Sequence, residues 1–235
     1  MFSIICVYNK IDTLEKYLLK SLKNQSIDYE LILLDNTYGK FSSAAEALNY
    51  GGCKANGQYL MFIHQDFQLS SKTWLEELKN YLDNLKDFGA AGIAGKHDKN
   101  LVSNIKNGIP PILAGYQITE PEEVMTVDEC LVLTTNRLFE KINFDEVICD
   151  NWHLYGADYC LSVKKAGFKV YVLPMDGYHV SKGDSFTEET YYPILKKILK
   201  KYKNDYKWIY ATTGNWSTVY PLSMQILYKK ARGWI

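Results

Sequence analysis

The sequence predicts an α/β fold with a mixed, mostly parallel sheet flanked by helices and followed by a helical C-terminal extension. Short apolar runs alternate with segments in which apolar residues recur at helical spacing. Polar residues follow these runs, as is typical of buried strands whose carboxyl ends meet at one edge of a sheet. The chain is 47% apolar and 23% charged, so it can bury a sizeable core.

The first part of the chain has the order strand, helix, strand, helix, strand. Asp12 or Thr13 can begin the first helix, and Ser42 or Ser43 can begin the second. Such crossovers make neighbouring strands parallel, so we expect all three strand ends at one rim of the sheet. The predicted strands are residues 2–7, 29–34 and 59–63.

The remaining elements follow a less regular pattern. We divide the chain into a domain of residues 1–185 and a helical extension of residues 186–235. The expected elements are, in order, a helix after Ser70 or Ser71, a strand at 88–94, a surface loop at 96–111, a strand at 131–134, a helix ending at Gly167, a strand at 169–173 and a helix at 187–202.

Charge and cysteine content exclude several classes of protein. The formal net charge is +0, which argues against general nucleic-acid binding. The 5 cysteines are widely spaced and form no C-x-x-C pair, so we expect reduced thiols in a cytoplasmic protein. We see no signal peptide and no apolar run long enough to span a bilayer.

The third strand ends in His64, Gln65 and Asp66, which directly follow five apolar residues. His64 and Asp66 are two positions apart, so both point to the same side of the strand. Such a pair can bind a divalent cation. The alternative is a strand that merely ends in polar surface residues, and this stretch alone leaves the two readings equally open.

The order of these stretches resembles the family 2 glycosyltransferases of the GT-A fold. The resemblance is closest to a branch in which the metal motif Asp-x-Asp is written His-x-Asp. It covers residues 2 to about 183, and its individual motifs are weak while their order and spacing are specific. The matching stretches are 3–9, 31–36, 47–51, 55–59, 64–66, 143–146, 152–161, 166–168 and 178–179.

The resemblance implies a nucleotide pocket at the strand ends. Asp35 would accept a hydrogen bond from a ring N–H of the base, although a turn-forming Asp35-Asn36 pair is the alternative. Leu48 stands where the family often has Arg, so this position offers no charged contact to a diphosphate. The implied nucleotide-binding residues are Val7, Tyr8, Asn9, Asp35, Asn36, Asn49, His64 and Gln65.

The resemblance also implies a divalent metal, Mn²⁺ or Mg²⁺, on the donor diphosphate. Asp66 is the first expected ligand, and His179 matches the late histidine that completes the metal shell in relatives. His64 replaces the first aspartate of the common motif, and it would bond the ribose or a metal-bound water. One carboxylate of the Asp-x-Asp motif is missing, which weakens the negative charge that would hold the metal.

For the acceptor side, the resemblance implies Asp158 as the general base of a single, inverting displacement. Relatives have Glu-Asp there, and this chain has Ala157-Asp158. A simple helix-capping aspartate is the alternative. Trp152, His153 and Tyr155 either stack on the acceptor or pack the loop.

The predicted function is transfer of a hexose-type sugar from a nucleotide-diphosphate donor, with a UDP-sugar favoured, to a glycan or lipid-linked acceptor in surface polysaccharide synthesis. A sugar nucleotidylyltransferase competes, but residues 7–10 are not the Gly-rich, basic loop that such an enzyme needs. A non-catalytic sugar-nucleotide binding module also competes, because His64 and Ala157 replace acidic residues.

The C-terminal tail from Gly214 mixes aromatic and aliphatic residues with Lys and Arg. One hypothesis is peripheral contact with the inner face of the membrane. The other, which we favour slightly, is that the tail packs on the catalytic core or on a second subunit of a homodimer.

Overall fold

The structure of the protein is a computed structural model that describes residues 1–181 and 187–234. The predicted boundary between residues 185 and 186 lies outside the described residues, so the division into two domains stays a prediction. The described chain folds around a 7-stranded mixed sheet.

The elements are as follows. The strands are β1 (Phe2–Tyr8), β2 (Tyr29–Asp35), β3 (Tyr59–Ile63), β4 (Phe67–Leu69), β5 (Phe88–Gly92), β6 (Ala94–His97), β7 (Asn100–Ser103), β8 (Ile105–Asn107), β9 (Ile112–Leu113), β10 (Glu122–Glu123), β11 (Thr126–Val127), β12 (Leu131–Thr135), β13 (Lys169–Val172), β14 (Gly177–His179), β15 (Trp208–Ala211) and β16 (Gly214–Ser217). The helices are α1 (Ile11–Leu14), which a π-helical turn (Glu15–Leu19) joins to α2 (Lys20–Leu22), then α3 (Ala44–Gly52), α4 (Trp74–Asn84), α5 (Asn136–Phe139), α6 (Tyr155–Lys165), α7 (Glu188–Lys201) and α8 (Leu222–Ala231).

The central sheet has the strand order β10-β13-β5-β12-β3-β1-β2. β1 lies between β2 and β3 and is parallel to both, which confirms that the three strand ends share one rim. β12 is antiparallel to β3 and β5, so its first residues, not its last, lie at that rim. The mixed sheet of the sequence-based fold class is therefore confirmed.

Helices cover both faces of the sheet, which is why its central strands are apolar throughout. All five residues of β3 are buried. On one face, α1, α2 and α4 contribute Leu14, Leu22 and Leu78 to a cluster with alternate residues of β1 and β3. On the other face, α3, α6 and α7 contribute residues such as Ala45, Leu161 and Ile194.

The expectation of a surface loop at 96–111 is wrong for most of this segment. β6, β7 and β8 form there, and Val102 and Ile105 are buried. β8 is parallel to β14, which pairs Asn107 with His179. The Asn, Lys and Gly content suggested a loop, but the side chains that face inward are apolar and hold the strands.

The C-terminal part has two different environments. The β15–β16 hairpin buries Trp216 in the same hydrophobic cluster as α6 and α7. In contrast, α8 has no buried residue. Within residues 1–181 and 187–234, none of the helices combines the length and apolar character that a membrane span requires.

Candidate functional site

The ends of β1 and β2 form the edge of the rim where a nucleobase is expected. Tyr8 pairs with Asp35, and the N–H of Asn36 donates to the carbonyl of Tyr8 at 2.8 Å. Asp35 is exposed and accepts from the Thr37 N–H at 2.8 Å, and hydrogen bonds from Thr37 lower its pKa. Burial and the neighbouring Asp35 raise the pKa of Tyr8. A charged acceptor is therefore available at this edge.

Gln65 connects the ends of β1 and β3. Its side-chain oxygen accepts from the N–H groups of Asn9 and Lys10 at 3.2 and 3.0 Å, and its nitrogen donates to Asn9 Oδ1 at 2.8 Å. Val7 lies half-buried at the end of β1. Gln65 thus shapes the backbone of the expected pocket, and contacts of Val7, Asn9 and Gln65 with a nucleotide stay predictions.

Two further residues predicted to bind the nucleotide, Asn36 and Asn49, use their side chains for hydrogen bonds within the fold. Asn36 accepts from the Phe41 N–H at 2.7 Å and closes its own loop. Asn49 bonds the backbone of Phe144 at 2.8 and 3.0 Å and Glu146 Oε1 at 2.8 Å. The amide of Asn49 is buried and already paired within the fold, and its contact with a nucleotide stays a prediction.

His64, Asp66 and His179 meet just beyond the end of β3. One ligand atom from each residue lies within 4.8 Å of the others. His64 Nδ1 is 3.3 Å from His179 Nε2, which is 3.3 Å from Asp66 Oδ1. Metal bonds of about 2.1 Å at right angles hold ligand atoms about 3 Å apart, so this spacing fits one divalent cation. His64 therefore belongs with the candidate ligands, and not only with the ribose or a metal-bound water as expected.

Hydrogen bonds on the far side of each imidazole set which nitrogen is free. Asn107 Oδ1 lies 3.3 Å from His179 Nδ1 and is suited to accept its proton. Tyr155 donates its hydroxyl proton to the carbonyl of Glu129 at 3.2 Å, so its oxygen can accept from His64 Nε2 at 3.1 Å. These tautomers, assigned from the hydrogen bonds, point two nitrogen lone pairs and a carboxylate at one space. A cation there would remove their mutual repulsion.

The electrostatics of the cluster also favour a cation. Burial lowers the pKa of His64 to about 4, so the ring is neutral at pH 7. Burial acts to raise the pKa of Asp66, but when the imidazoles carry their protons the hydrogen bond and charge of His179 and the charge of His64 outweigh it, and the pKa falls to about 2. The carboxylate is therefore ionised at pH 7, and a bound cation would take the place of the proton on His179 Nε2. The Ser181 N–H donates to Asp66 Oδ2 at 3.0 Å. A neutral imidazole and an ionised carboxylate are the protonation states that metal binding requires.

Sequence reasoning missed two carboxylates at the same rim, Asp128 and Glu129. The backbone N–H of His64 donates to Cys130 at 3.0 Å, which places this segment beside the end of β3. Thr212, in the turn of the β15–β16 hairpin, donates to Asp128 Oδ2 at 2.7 Å. Both residues lie directly before β12 in the sequence. This position predicts a place at the rim only if β12 is known to run antiparallel to β3.

The structure argues against Asp158 as the general base. Its side chain is 1% exposed, and both carboxylate oxygens accept from Lys201 Nζ, at 2.8 and 2.9 Å. Burial raises its pKa, and Lys201 only partly opposes this. Asp145 shares the same ammonium. Asp158 therefore joins α6 to α7 through this ion pair.

The three predicted acceptor-side residues have different environments. Tyr155 is buried against Phe144 and bonded to His64, so it supports the site and cannot stack on a sugar without moving. Trp152 is 36% exposed and His153 is half-buried, with a pKa lowered by burial. Both precede α6, where Leu154 adopts φ 64, a strained value for leucine that redirects the chain into the helix.

This fold is that of the GT-A glycosyltransferases, and the group of His64, Asp66 and His179 fits a His-x-Asp motif. Residues 3–202 match the family described as "Glycosyltransferase like family". The chain belongs to this family. Among curated proteins it is 23% identical over 159 residues to "ATP synthase subunits region ORF 6" of Fuscovulum blasticum, which covers 64% of this chain and 61% of that protein.

Solved structures share the fold at low identity. S. aureus TarS in complex with UDP-GlcNAc has a TM-score of 0.60 at 15% identity, covering 86% of this chain and 66% of that one. GalNAc-T7 with UDP, GalNAc and Mn²⁺ has 0.64 at 11%, covering 88% and 49%. Mannosyltransferase PcManGT from Pyrobaculum calidifontis, with GDP-Man and Mn²⁺, has 0.59 at 13%, covering 88% and 65%. The chain thus spans less than two thirds of the length of each of these proteins.

Proposed function

We propose that this protein transfers a hexose-type sugar from a nucleotide-diphosphate donor to a glycan or lipid-linked acceptor, as in surface polysaccharide synthesis. The single observation that carries the proposal is the cluster of His64, Asp66 and His179 at the end of β3, on the rim that also carries Asp35. Ligands bind at this edge in open α/β sheets. Family membership gives the chemistry of the ligand, a sugar nucleotide.

In this proposal the nucleobase lies at the ends of β1 and β2, where Asp35 accepts a ring N–H. The diphosphate lies toward β3, at the three-residue cluster. Mn²⁺ is the favoured cation, because two imidazoles suit it better than Mg²⁺ and because GalNAc-T7 and PcManGT hold Mn²⁺. A bound divalent ion would stabilise the negative charge that develops on the leaving diphosphate. A UDP-sugar is the favoured donor, with a GDP-sugar as the alternative.

A thermal-shift screen of UDP-, GDP-, dTDP- and CMP-sugars, each with and without Mn²⁺, tests the proposal. A donor at a hundred times its dissociation constant adds about 2.7 kcal/mol to the free energy of unfolding. We expect one nucleotide class to raise Tm, and Mn²⁺ to increase that rise. If none of these sugars shifts Tm in the presence of Mn²⁺, the proposal is wrong.

A non-catalytic binding module is the second candidate, and the ion pair that engages Asp158, the expected base, with Lys201 favours it. The two candidates differ in turnover. Release of nucleoside diphosphate from the donor selected by the screen, first with water and then with simple glycosides as acceptors, identifies an enzyme. Binding without any release identifies a module. A nucleotidylyltransferase would instead consume a nucleoside triphosphate.

We further propose that the C-terminal surface rests on an anionic membrane while the enzyme meets its acceptor. Trp216 is buried, so the hairpin packs on the core, whereas α8 carries exposed Met224, Leu227 and Tyr228. No acidic residue follows Asp205, and Lys207, Lys229, Lys230 and Arg232 lie in this part. Apolar and basic side chains on one exposed helix are typical of interfacial segments.

A further inference from the structure

Glu129 is a half-buried carboxylate that no part of the expected mechanism uses. Its Oε1 accepts from the backbone N–H of Gly156, in the first turn of α6, at 3.0 Å. Its own carbonyl accepts from the Tyr155 hydroxyl, which in turn contacts His64 of the metal cluster. Glu129 is thus linked to the cluster through one side chain, and part of its surface is open to solvent.

Because Gly156 has no side chain, Glu129 can pack closely against the start of α6. A Cβ at position 156 would come within 3.0 Å of Glu129 Cγ and 3.3 Å of Val132 Cγ2. A methyl group there would therefore require the glutamate side chain to shift by a few tenths of an ångström. The start of this helix is where the acceptor side of the site was expected, and the carboxylate that occupies it comes from the segment before β12 rather than from α6 itself.

We propose that Glu129 accepts the proton of the acceptor hydroxyl in sugar transfer. The hydroxyl oxygen forms a bond to the anomeric carbon as the bond from that carbon to the diphosphate oxygen breaks. The nucleoside diphosphate leaves with the electron pair, and the proton moves to a carboxylate oxygen of Glu129. No other reactant is needed. This inference rests on the proposed transferase function and replaces Asp158 in the role of base.

The surroundings of Glu129 set the pH range in which it can act. Burial raises its pKa to about 8, and the charge of Asp128 adds to this, while the N–H groups of residues 154–156 oppose it. The other titratable groups that sense its charge are neutral thiols and phenols near pH 7, namely Cys130, Cys149, Tyr155, Cys160 and Tyr191. We therefore expect transfer to rise with pH up to about 8, because only the ionised carboxylate accepts a proton.

The test compares Glu129→Gln with the wild type and with Glu140→Gln, a matched change at an exposed glutamate. We measure Mn²⁺ and UDP affinity by calorimetry and UDP release from the donor selected by the screen, between pH 5.5 and 9. A positioned general base contributes roughly 10²–10⁴-fold. For Glu129→Gln we expect at least a ~100-fold loss of rate and no rising limb with pH, with affinities within about threefold of wild type. Glu140→Gln should match the wild type.

A second variant separates proton transfer from structure. Gly156→Ala keeps the carboxylate but displaces it, so we expect slower transfer with unchanged Mn²⁺ affinity. Stability gives a readout without substrate. Because folded Glu129 keeps its proton up to about pH 8 while the unfolded chain loses it near 4.5, its contribution to the free energy of unfolding falls across this window. The free energy of unfolding of Glu129→Gln should therefore rise relative to that of the wild type as the pH is raised through the same range.

The outcomes are distinct. If Glu129→Gln transfers sugar within a few-fold of wild type, or if it loses Mn²⁺ and UDP affinity along with rate, the inference is wrong while the transferase proposal stands. If the wild type binds no nucleotide sugar and releases no UDP, both fail. Rate loss with intact affinity and a flat pH profile supports Glu129 as the base.

Discussion

At the scale of single residues, the candidate site depends on which atom each side chain presents. The spacing of His64 and Asp66 predicted correctly that they share one side of the strand end, and the family resemblance supplied His179. The sequence could not show that His64 presents Nδ1 to this cluster, because that follows from the contact of Nε2 with Tyr155, 91 residues away. Nor could it supply Asn107, which lay in a segment expected to be a loop.

Asp66→Asn tests the cluster at this scale. Asn keeps an oxygen for the Ser181 N–H but loses the charge that attracts the cation. Because changes to groups that merely support ligands cost roughly 10–100-fold in metal affinity, we expect Mn²⁺ affinity measured by calorimetry to fall by about 100-fold. Asp35→Asn is the control, which should weaken UDP binding and leave Mn²⁺ binding unchanged. Equal Mn²⁺ affinity in Asp66→Asn and wild type would remove the cluster as a metal site.

At the scale of elements, the pattern of apolar runs predicted β1, β2 and β3 well, because strands buried on both faces leave a continuous apolar signal. It did not give the direction of β12, because an antiparallel strand in the middle of a sheet has the same composition as a parallel one. The rim is therefore formed by the carboxyl ends of the parallel strands and by the beginning of β12. Asp128 and Glu129 lie directly before β12. The sequence pattern likewise did not predict the ion pair of Asp158, because its partner Lys201 lies 43 residues further along the chain, on another helix.

The contact between α6 and α7 makes Lys201→Met destabilising, because it leaves Asp158 buried without its cation. Breaking a fully buried pair costs roughly 3–5 kcal/mol. Lys201 is 26% exposed, so we expect a loss of about 2 kcal/mol in the free energy of unfolding, measured with urea at pH 7. The loss should shrink toward pH 4, where the buried carboxyl can bind a proton. Lys200→Met, at an exposed neighbour, should change stability by no more than about 0.5 kcal/mol. If Lys201→Met is as stable as the wild type, the ion pair between Asp158 and Lys201 does not stabilise the contact between α6 and α7.

At the scale of the whole molecule, charge and apolar surface are distributed unevenly. The net charge of the chain is +0, yet no acidic residue follows Asp205. The hairpin that carries α8 also reaches the site, since Thr212 in its turn contacts Asp128. A surface that holds α8 would therefore also fix the orientation of the site toward that surface, which suits an acceptor carried on a lipid. Composition gave the mixed character of the tail, but only the fold separates buried Trp216 from exposed Leu227.

Co-sedimentation with lipid vesicles tests this arrangement. Each basic residue near an anionic surface contributes about 1 kcal/mol, which salt screens, and the apolar side chains add burial. We expect binding to vesicles that contain phosphatidylglycerol, weaker binding in 0.5 M salt (where the Debye length falls to roughly half its physiological value), and weak binding to phosphatidylcholine alone.

Leu227→Glu should abolish the vesicle binding without changing Tm, because Leu227 is 71% exposed and a charge there costs the fold little. Val147→Glu, at a residue 80% exposed elsewhere, is the matched control and should bind like wild type. Sedimentation velocity of the same proteins tests the alternative that a second subunit, not a membrane, covers α8. If the wild type is a dimer that Leu227→Glu dissociates, and vesicles bind neither protein, then α8 packs against a second subunit and the membrane proposal is wrong.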